Sequence, residues 1–551
     1  ATVVGKGLAT RGLVLTLVDA IGILGPADFR RARTRHLEQL RAVGIPTDLL
    51  QYFDRHGNGL ALVRAIASDL AAGNKLTEIH AKYADTEFRF AATETRFRSA
   101  VESGDGPVEA LRFQLGRGDS WGGLDDGGSV EILRQVLARV PDIQCVAHIE
   151  PRFVDVLRES LVEQQSEWKR LRVLPSKWPV TQWARDNGLP GSTVREGKTL
   201  AATLLPRYAS RRQDGSEFVE GDSYLFDTLE AAGHVTIASP LLFQGGDFLV
   251  VRHPGRGERW AFVGESEVAR NRALGLTHDQ VVDALRIELG VDRCVVLPSI
   301  SFHIDYDVTF RVIGDELVAF VEDPDSAVEL VLGRAIGVLQ EAGLIDAEGR
   351  ATLERQLVEA RTQSELREPF SRSFAERIYS VVDGRAAFPI GFVRRFSDRD
   401  IHRAVGNLQR VLSALDQYVA RALEPNGIGG TGHQSSHLRA HRRQAALREE
   451  LAGTLEELGV RVVRVPSFST GRRSVNAING LQLPGAYLLP EYGGKIGSVV
   501  DAAARAVFER ELGEEVSVIG IVTAESQRRN GAIHCSVAAY PAPILARSKS
   551  N

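Results

Sequence analysis

The 551-residue sequence holds three cysteines, no methionine, and no apolar run long enough to cross a bilayer. Cys145, Cys294 and Cys535 are odd in number and scattered, which excludes a disulfide framework and points to free thiols in a reducing, cytoplasmic compartment. The longest early apolar stretch, GLVLTLVDAIGILG at 12 to 25, is broken by Asp19 and falls short of the roughly 20 residues a spanning helix needs. It also lacks a small-residue cleavage site, so a packed helix is expected there, with no signal peptide and no membrane partner. The absent initiator methionine reads as processing, and the lack of internal methionine carries no functional meaning. Neither sign of charge dominates: 67 Lys and Arg against 71 Asp and Glu leave a net charge of −4, and the absence of a basic block argues against nucleic acid as a partner. What is present is an ordinary globular balance, 43% hydrophobic and 25% charged, in a chain long enough for about three or four domain-sized units.

Residues 1 to about 104 read as a helical N-terminal domain, with helices after Gly25-Pro26, around 59 to 72, and over 76 to 102. The stretch SGDGP at 103 to 107 marks the boundary, because Gly and Pro favour an irregular connection. From 105 to 551 the pattern changes to alternating strands and helices, the mark of an α/β domain. A helix over 129 to 139 leads to a strand at 143 to 149, and a helix over 152 to 168 leads to a strand at 170 to 175. Further strands are expected at 234 to 238, 248 to 252, 260 to 264, 294 to 298, 307 to 313, 317 to 321 and 460 to 466. The helix-rich interval from about 324 to 460 reads as an insertion.

Four segments carry residue types suited to chemistry. In SFHIDYDVTF, 301 to 310, a strand would project His303, Asp305 and Asp307 from one face; an imidazole beside carboxylates suits proton transfer, although a solvated strand end gives the same pattern. In VTQWARDNGLPG, 180 to 191, Trp183 and Asp186 offer a planar cation a stacking face and paired hydrogen bonds, while an internal Arg185–Asp186 ion pair is the alternative. In LLFQGGDFLVV, 241 to 251, two glycines before Asp247 permit close backbone approach but lack the spacing of a phosphate loop. In RRNGAIHCSVAAYP, 528 to 541, Cys535 is a candidate nucleophile; a strand would send His534 to the opposite face, so its base must come from elsewhere, and His303 fits by type. Cys145 and Cys294, inside apolar strands, read as packing thiols.

Two other patterns are weaker. FDRHGNGLALVRA at 53 to 65 echoes a calcium loop, but Ala65 stands where a bidentate Glu belongs, so a helix-turn is expected. His433, His437 and His441 fall at helical spacing among arginines, which suits a solvated or anion-facing surface better than a metal site. No metal and no cofactor is expected.

Taken in order, W-A-R-D at 183 to 186, Q-G-G-D at 244 to 247, H-I-D at 303 to 305, V-N-A-I-N-G-L-Q-L-P at 475 to 484, and G-A-I-H-C at 531 to 535 followed by Pro541 resemble the guanidine-modifying, or pentein, superfamily. The last two look most like agmatine deiminases and bacterial peptidylarginine deiminases. The resemblance implies a five-bladed α/β propeller as catalytic domain, preceded by the N-terminal helical domain and carrying the helical insertion. It makes Cys535 the nucleophile, His303 the general acid and base, Asp186 and Asp305 the guanidinium-binding carboxylates, and Trp183 an aromatic wall. Arg185, Gln244, Asp247 and Asn476 are expected among the substrate-binding residues. The first 103 residues and most of 324 to 460 lie outside it. Gln244 replaces the Glu common in relatives acting on free arginine, and Ser474 replaces the aromatic that usually precedes the Asn in agmatine deiminases.

The function implied is a deiminase that converts an arginine-type guanidinium (peptidyl-arginine, arginine or agmatine) into a ureido group plus ammonia through a covalent Cys thiouronium. Amidino transfer to an amine through the same intermediate is one rival; a non-catalytic binding protein on the same fold is the other, and it would predict loss of the nucleophile or carboxylates, all of which are present. The partner implied is a guanidino substrate, either a small molecule or an arginine side chain of a peptide or protein. A homo-oligomer is compatible with the sequence.

Overall fold

The computed structural model describes residues 69, 72–83, 97–116, 124, 127–176, 180–206, 225–226, 228–239, 241–272, 277–341, 346–351, 354–355, 434–467, 469, 474–527, 529 and 531–545. The chain divides into two compact units, one of residues 1–297 with 534–551 and one of residues 298–533. Both are mixed α/β. Among the described residues no helix is long and apolar enough to cross a membrane.

Among the described residues, five separate sheets share one strand pattern: a first strand antiparallel to a second, which is parallel to a third. In the first unit it is formed by Leu189–Arg195, Lys198–Leu205 and Val235–Ala238, and again by Phe248–Arg252, Arg259–Gly264 and Arg293–Leu297. The C-terminal strand Val537–Tyr540 takes the first place beside Ala110–Leu115 and Gln144–Ile149, with Leu171–Pro175 added at the edge. In the second unit the triplets are Val308–Ile313, Glu316–Asp323 and Arg461–Pro466, then Leu481–Leu483, Ala486–Glu491 and Ser517–Val522. A parallel pair needs a crossover. The interval from about 324 to 460 falls in one, since helices Pro324–Glu341 and Gln434–Glu457 both come between the parallel strands Glu316–Asp323 and Arg461–Pro466 in sequence.

Local sequence explains the elements. Every residue of Ala110–Leu115 is buried, as befits a strand with a neighbour on each side and both faces covered. Helix His278–Leu289 begins with a capping box, in which the Thr277 hydroxyl accepts from Gln280 N and the Gln280 side chain accepts from Thr277 N. It ends at Gly290, whose φ of 64° suits glycine, and where an added Cβ would collide with the Phe97 carbonyl. The nine strands expected from periodicity are all found, within a residue or two at each end.

Other expectations change. The helix foreseen over 76 to 102 is described as Leu76–Tyr83, and Arg98–Ser99 is a strand paired with Ser192 and Gly191. The helices expected earlier in the chain, the calcium-like segment and His433 lie outside the described residues, as do the side chains of His437 and His441.

Within the first unit, a polar group lies inside an apolar layer that includes Val146, Ala184, Phe226 and Tyr540. Arg112 donates to Tyr540 Oη, Gln114 Oε1, Asn187 Oδ1 and the Ala184 carbonyl, and stacks on Phe226 at 5.2 Å. His148, in register with Gln114, is buried, and among the described residues neither of its ring nitrogens has a hydrogen-bond partner. Burial, then the charge of Arg112, pushes the His148 imidazole well below its ordinary 6.5, and the same causes take His234 down to about 3. Both stay neutral when folded but accept a proton when unfolded. Their contribution to stability is therefore complete above about 6.5 and lost as pH falls below it. Urea denaturation at pH 7 and pH 5 is expected to show a loss of about 2 kcal/mol from His234 alone, and His148→Met to reduce the acid sensitivity further.

Candidate active site

In the first unit, three of the sequence motifs are bonded to one another. The turn at 183–187 is closed by Asp186 N donating to the Trp183 carbonyl at 3.3 Å. It leaves Trp183 and Asp186 half-buried, while Arg185 turns inward. The Arg185 fork meets both oxygens of Glu102, at 2.9 and 3.0 Å, and also donates to the carbonyls of Gly245 (3.2 Å) and Phe248 (2.9 Å). The Q-G-G-D segment forms a short 3-10 turn, Gly245–Asp247, docked on the same backbone: Gly245 N donates to the Asp186 carbonyl, and a Cβ at 245 would collide with the Arg185 carbonyl. Glycine is thus required there by close approach. The third motif joins through Arg185 N, which donates to the Cys535 carbonyl at 3.1 Å.

Cys535 is 1% exposed and sits in a single helical turn, Ile533–Ser536, ahead of strand Val537–Tyr540. The strand alternation used to separate it from His534 therefore does not apply. His534 Nε2 lies 3.5 Å from Glu102 Oε1. Burial raises the Glu102 carboxyl, but the Arg185 guanidinium together with His534 outweighs it and holds the group below the ordinary carboxylate value. The other two thiols are unlike a nucleophile, as burial pushes Cys145 and Cys294 up to about 12.

Arg185 directs its fork into the fold, where it anchors the turn. Asp247 is fully buried and accepts from Ser266 Oγ at 2.7 Å. Beside it the Glu267 carboxyl is raised well above its ordinary value by burial and by the Asp247 charge, against the opposing charge of Arg270 at 2.8 Å. Gln244 remains half-buried, its backbone N–H donating to Glu267.

In the second unit, His303 and Asp305 are buried, but they do not lie on a strand. Ile304–Tyr306 is a 3-10 turn and the strand begins at Val308, so a two-residue alternation cannot align His303, Asp305 and Asp307. Hydrogen bonds fix the turn instead. Ser301 Oγ donates to the His303 carbonyl (2.7 Å), Asn479 Nδ2 to the Asp305 carbonyl (3.2 Å), and Asn476 Nδ2 to the Tyr306 carbonyl (2.9 Å). The exposed Phe302 ring lies 4.6 Å from the His303 ring. Asp307 accepts from both Ser301 N and Oγ.

Asn476 uses its whole capacity within the fold. Its Oδ1 accepts from Ile478 N and Asn479 N, and its Nδ2 donates to Tyr306 O and Ser469 Oγ. It therefore positions the turn. Asn479 extends this scaffold to the last motif: its Oδ1 and carbonyl accept from Ala532 N and Ile533 N. Glu102, Arg112 and Asn479 escaped notice in the sequence. A lone charge inside the apolar run ALRFQL was the available sign for Arg112; Glu102 had none.

Nothing among known protein families matches this sequence, and no curated protein does. Solved structures similar to it include a Porphyromonas gingivalis protein provisionally assigned as an arginine deiminase, at 16% identity and TM-score 0.43, covering 81% of this chain and 98% of that one. The agmatine deiminase of C. jejuni is similar at 12% identity and TM-score 0.44, covering 82% and 98%. A third, provisionally assigned as an agmatine deiminase, is similar at 14% identity and TM-score 0.44, covering 81% and 96%.

Removing Arg185 would leave Glu102 buried without its counter-charge. Arg185→Ala is expected to cost about 3–5 kcal/mol in urea denaturation. In the second unit, burial and then the charge of Glu322 raise Asp307, while burial raises Glu322 to about 7 against the opposing charge of Arg448. Such neutral acids add stability that is complete below their unfolded value and lost as pH rises through the folded one. Unfolding free energy is expected to fall between pH 6 and pH 8, with Glu322→Gln removing about 1 kcal/mol of that fall.

Proposed function

We propose that this chain is a guanidine deiminase of the pentein type, converting an arginine-type guanidinium into a ureido group and ammonia. The observation that carries the reading is the bonded group in the first unit: a buried cysteine whose carbonyl is held by the same turn that presents a half-buried tryptophan and carboxylate. The five-motif order supports it, and the recurrence of one strand pattern in five sheets supports the five-bladed propeller as the fold.

A guanidinium is planar, delocalised and a poor electrophile, with N–H donors arranged as a fork. Asp186 and Asp305 hold that fork and direct its central carbon at sulfur, with Trp183 against its face. The Cys535 thiolate attacks, forming a C–S bond. One C–N bond then breaks, and the nitrogen leaves as ammonia with a proton from His303. A water that gives its proton back to His303 attacks the same carbon, a C–O bond forms, and the C–S bond breaks to release the ureido product and restore the thiolate. Free cysteine, with a pKa near about 8.5, is mostly protonated at neutral pH, so the substrate's own positive charge helps form the nucleophile. Orientation supplies much of the rate.

A colorimetric ureido assay over free arginine, agmatine, an arginine peptide and an arginine-containing protein, with ammonia measured in parallel, tests this reading. Equal amounts of ureido product and ammonia are expected from at least one of them. Cys535→Ser is expected to lower turnover by more than about 10³-fold with the fold retained; substantial residual ureido formation would remove Cys535 from its role.

A further inference from the structure

We propose that Glu102 and His534 are positioning residues for the nucleophile, closing with Arg185 a ring of contacts that pins the Cys535 backbone beside the turn carrying Asp186. The roles assigned to Cys535 and Asp186 rest on the deiminase reading; the ring itself does not. Its members can be followed in order. Glu102 Oε1 and Oε2 meet Arg185 Nη1 and Nη2 at 2.9 and 3.0 Å. The backbone N–H of Arg185 donates to the Cys535 carbonyl at 3.1 Å. Cys535 follows His534 by one peptide bond, and His534 Nε2 returns to Glu102 Oε1 at 3.5 Å.

Glu102 is itself immobilised. Its backbone N–H donates to the Val250 carbonyl at 2.6 Å, and Val250 N donates to its side chain at 3.4 Å. All four residues of the ring are buried. Such a closed ring suppresses rotation of the short helical turn at Ile533–Ser536, which on its own has too few backbone hydrogen bonds to hold a side chain still. Because in-line attack is steeply sensitive to the placement of the sulfur, a shift of about 1 Å costs on the order of 10²-fold in rate.

The two arms of the ring differ in what they carry. Through Arg185 the ring also supports Asp186 and Gly245, so opening it there disturbs substrate binding and attack together. Through His534 it reaches the nucleophile's own turn without passing through Asp186 or Gly245. Opening the His534 arm should therefore lower kcat and leave KM nearly unchanged, a split that general destabilisation does not produce.

Glu102→Gln strands the buried Arg185 charge and tests folding as much as positioning, so the discriminating pair is at 534. Full-length His534→Phe fills the space and removes the contact. His534→Gln keeps a side-chain N–H able to donate to Glu102. We expect His534→Phe to lower kcat at least about tenfold with KM within about twofold, and His534→Gln to recover most of the loss. Amide hydrogen exchange of the peptide containing Cys535 reads the pinning directly and needs no substrate. It should accelerate at least about tenfold in His534→Phe and return toward wild type in His534→Gln. Unchanged exchange in His534→Phe, or equal impairment of both variants, would overturn the proposal. If wild type turns over none of the guanidines tested, the deiminase reading fails, and the exchange experiment still decides the ring.

Discussion

The buried pair of Arg185 and Glu102 is the constraint on which the first unit's candidate site rests. Taking two charges out of water is costly, and only close two-point geometry with extra hydrogen bonds offsets it. Here the geometry is supplied by both carboxylate oxygens and by the carbonyls of Gly245 and Phe248. Because the guanidinium must reach these partners, the turn that carries it can adopt only one course, which leaves Asp186 and Trp183 at its half-buried rim. Arg112 holds the same turn through Ala184 and Asn187. Charge buried at one point thus becomes precision at another.

The second unit reaches the same end with neutral groups. Asn476 and Asn479 spend amide hydrogen bonds on the backbone of the turn bearing His303 and Asp305, and the acids nearby, Asp307 and Glu322, are raised toward protonation by burial. The two strategies respond oppositely to pH. The neutral histidines of the first unit lose stability as pH falls below about 6.5, and the raised acids of the second lose it as pH rises toward about 7.

Much of this was legible in the sequence. Strand positions such as Phe248–Arg252 and Glu316–Asp323 follow from short β-branched and aromatic runs, and the motifs name residues that are bonded to one another within each unit. What periodicity could not supply was the conformation of single turns: Cys535 lies in a one-turn helix and His303 immediately precedes another, where alternation suggested strands. Nor could it distinguish a polar residue aimed at a ligand from one consumed by the fold. The bonding partners of Arg185 and Asn476 lie within the fold, which the motifs alone do not reveal. Glu102 is invisible for a further reason, since its partners at 185 and 534 are remote in sequence.

The central claim is that Cys535 carries the amidino carbon of a guanidine during turnover. Acid quenching during steady-state reaction with whichever guanidine is converted, followed by intact mass and peptide mapping, tests it most directly. The account predicts an added mass equal to the substrate less one ammonia, located on the peptide containing Cys535. Turnover with no adduct there, or with an adduct on another residue, would contradict it.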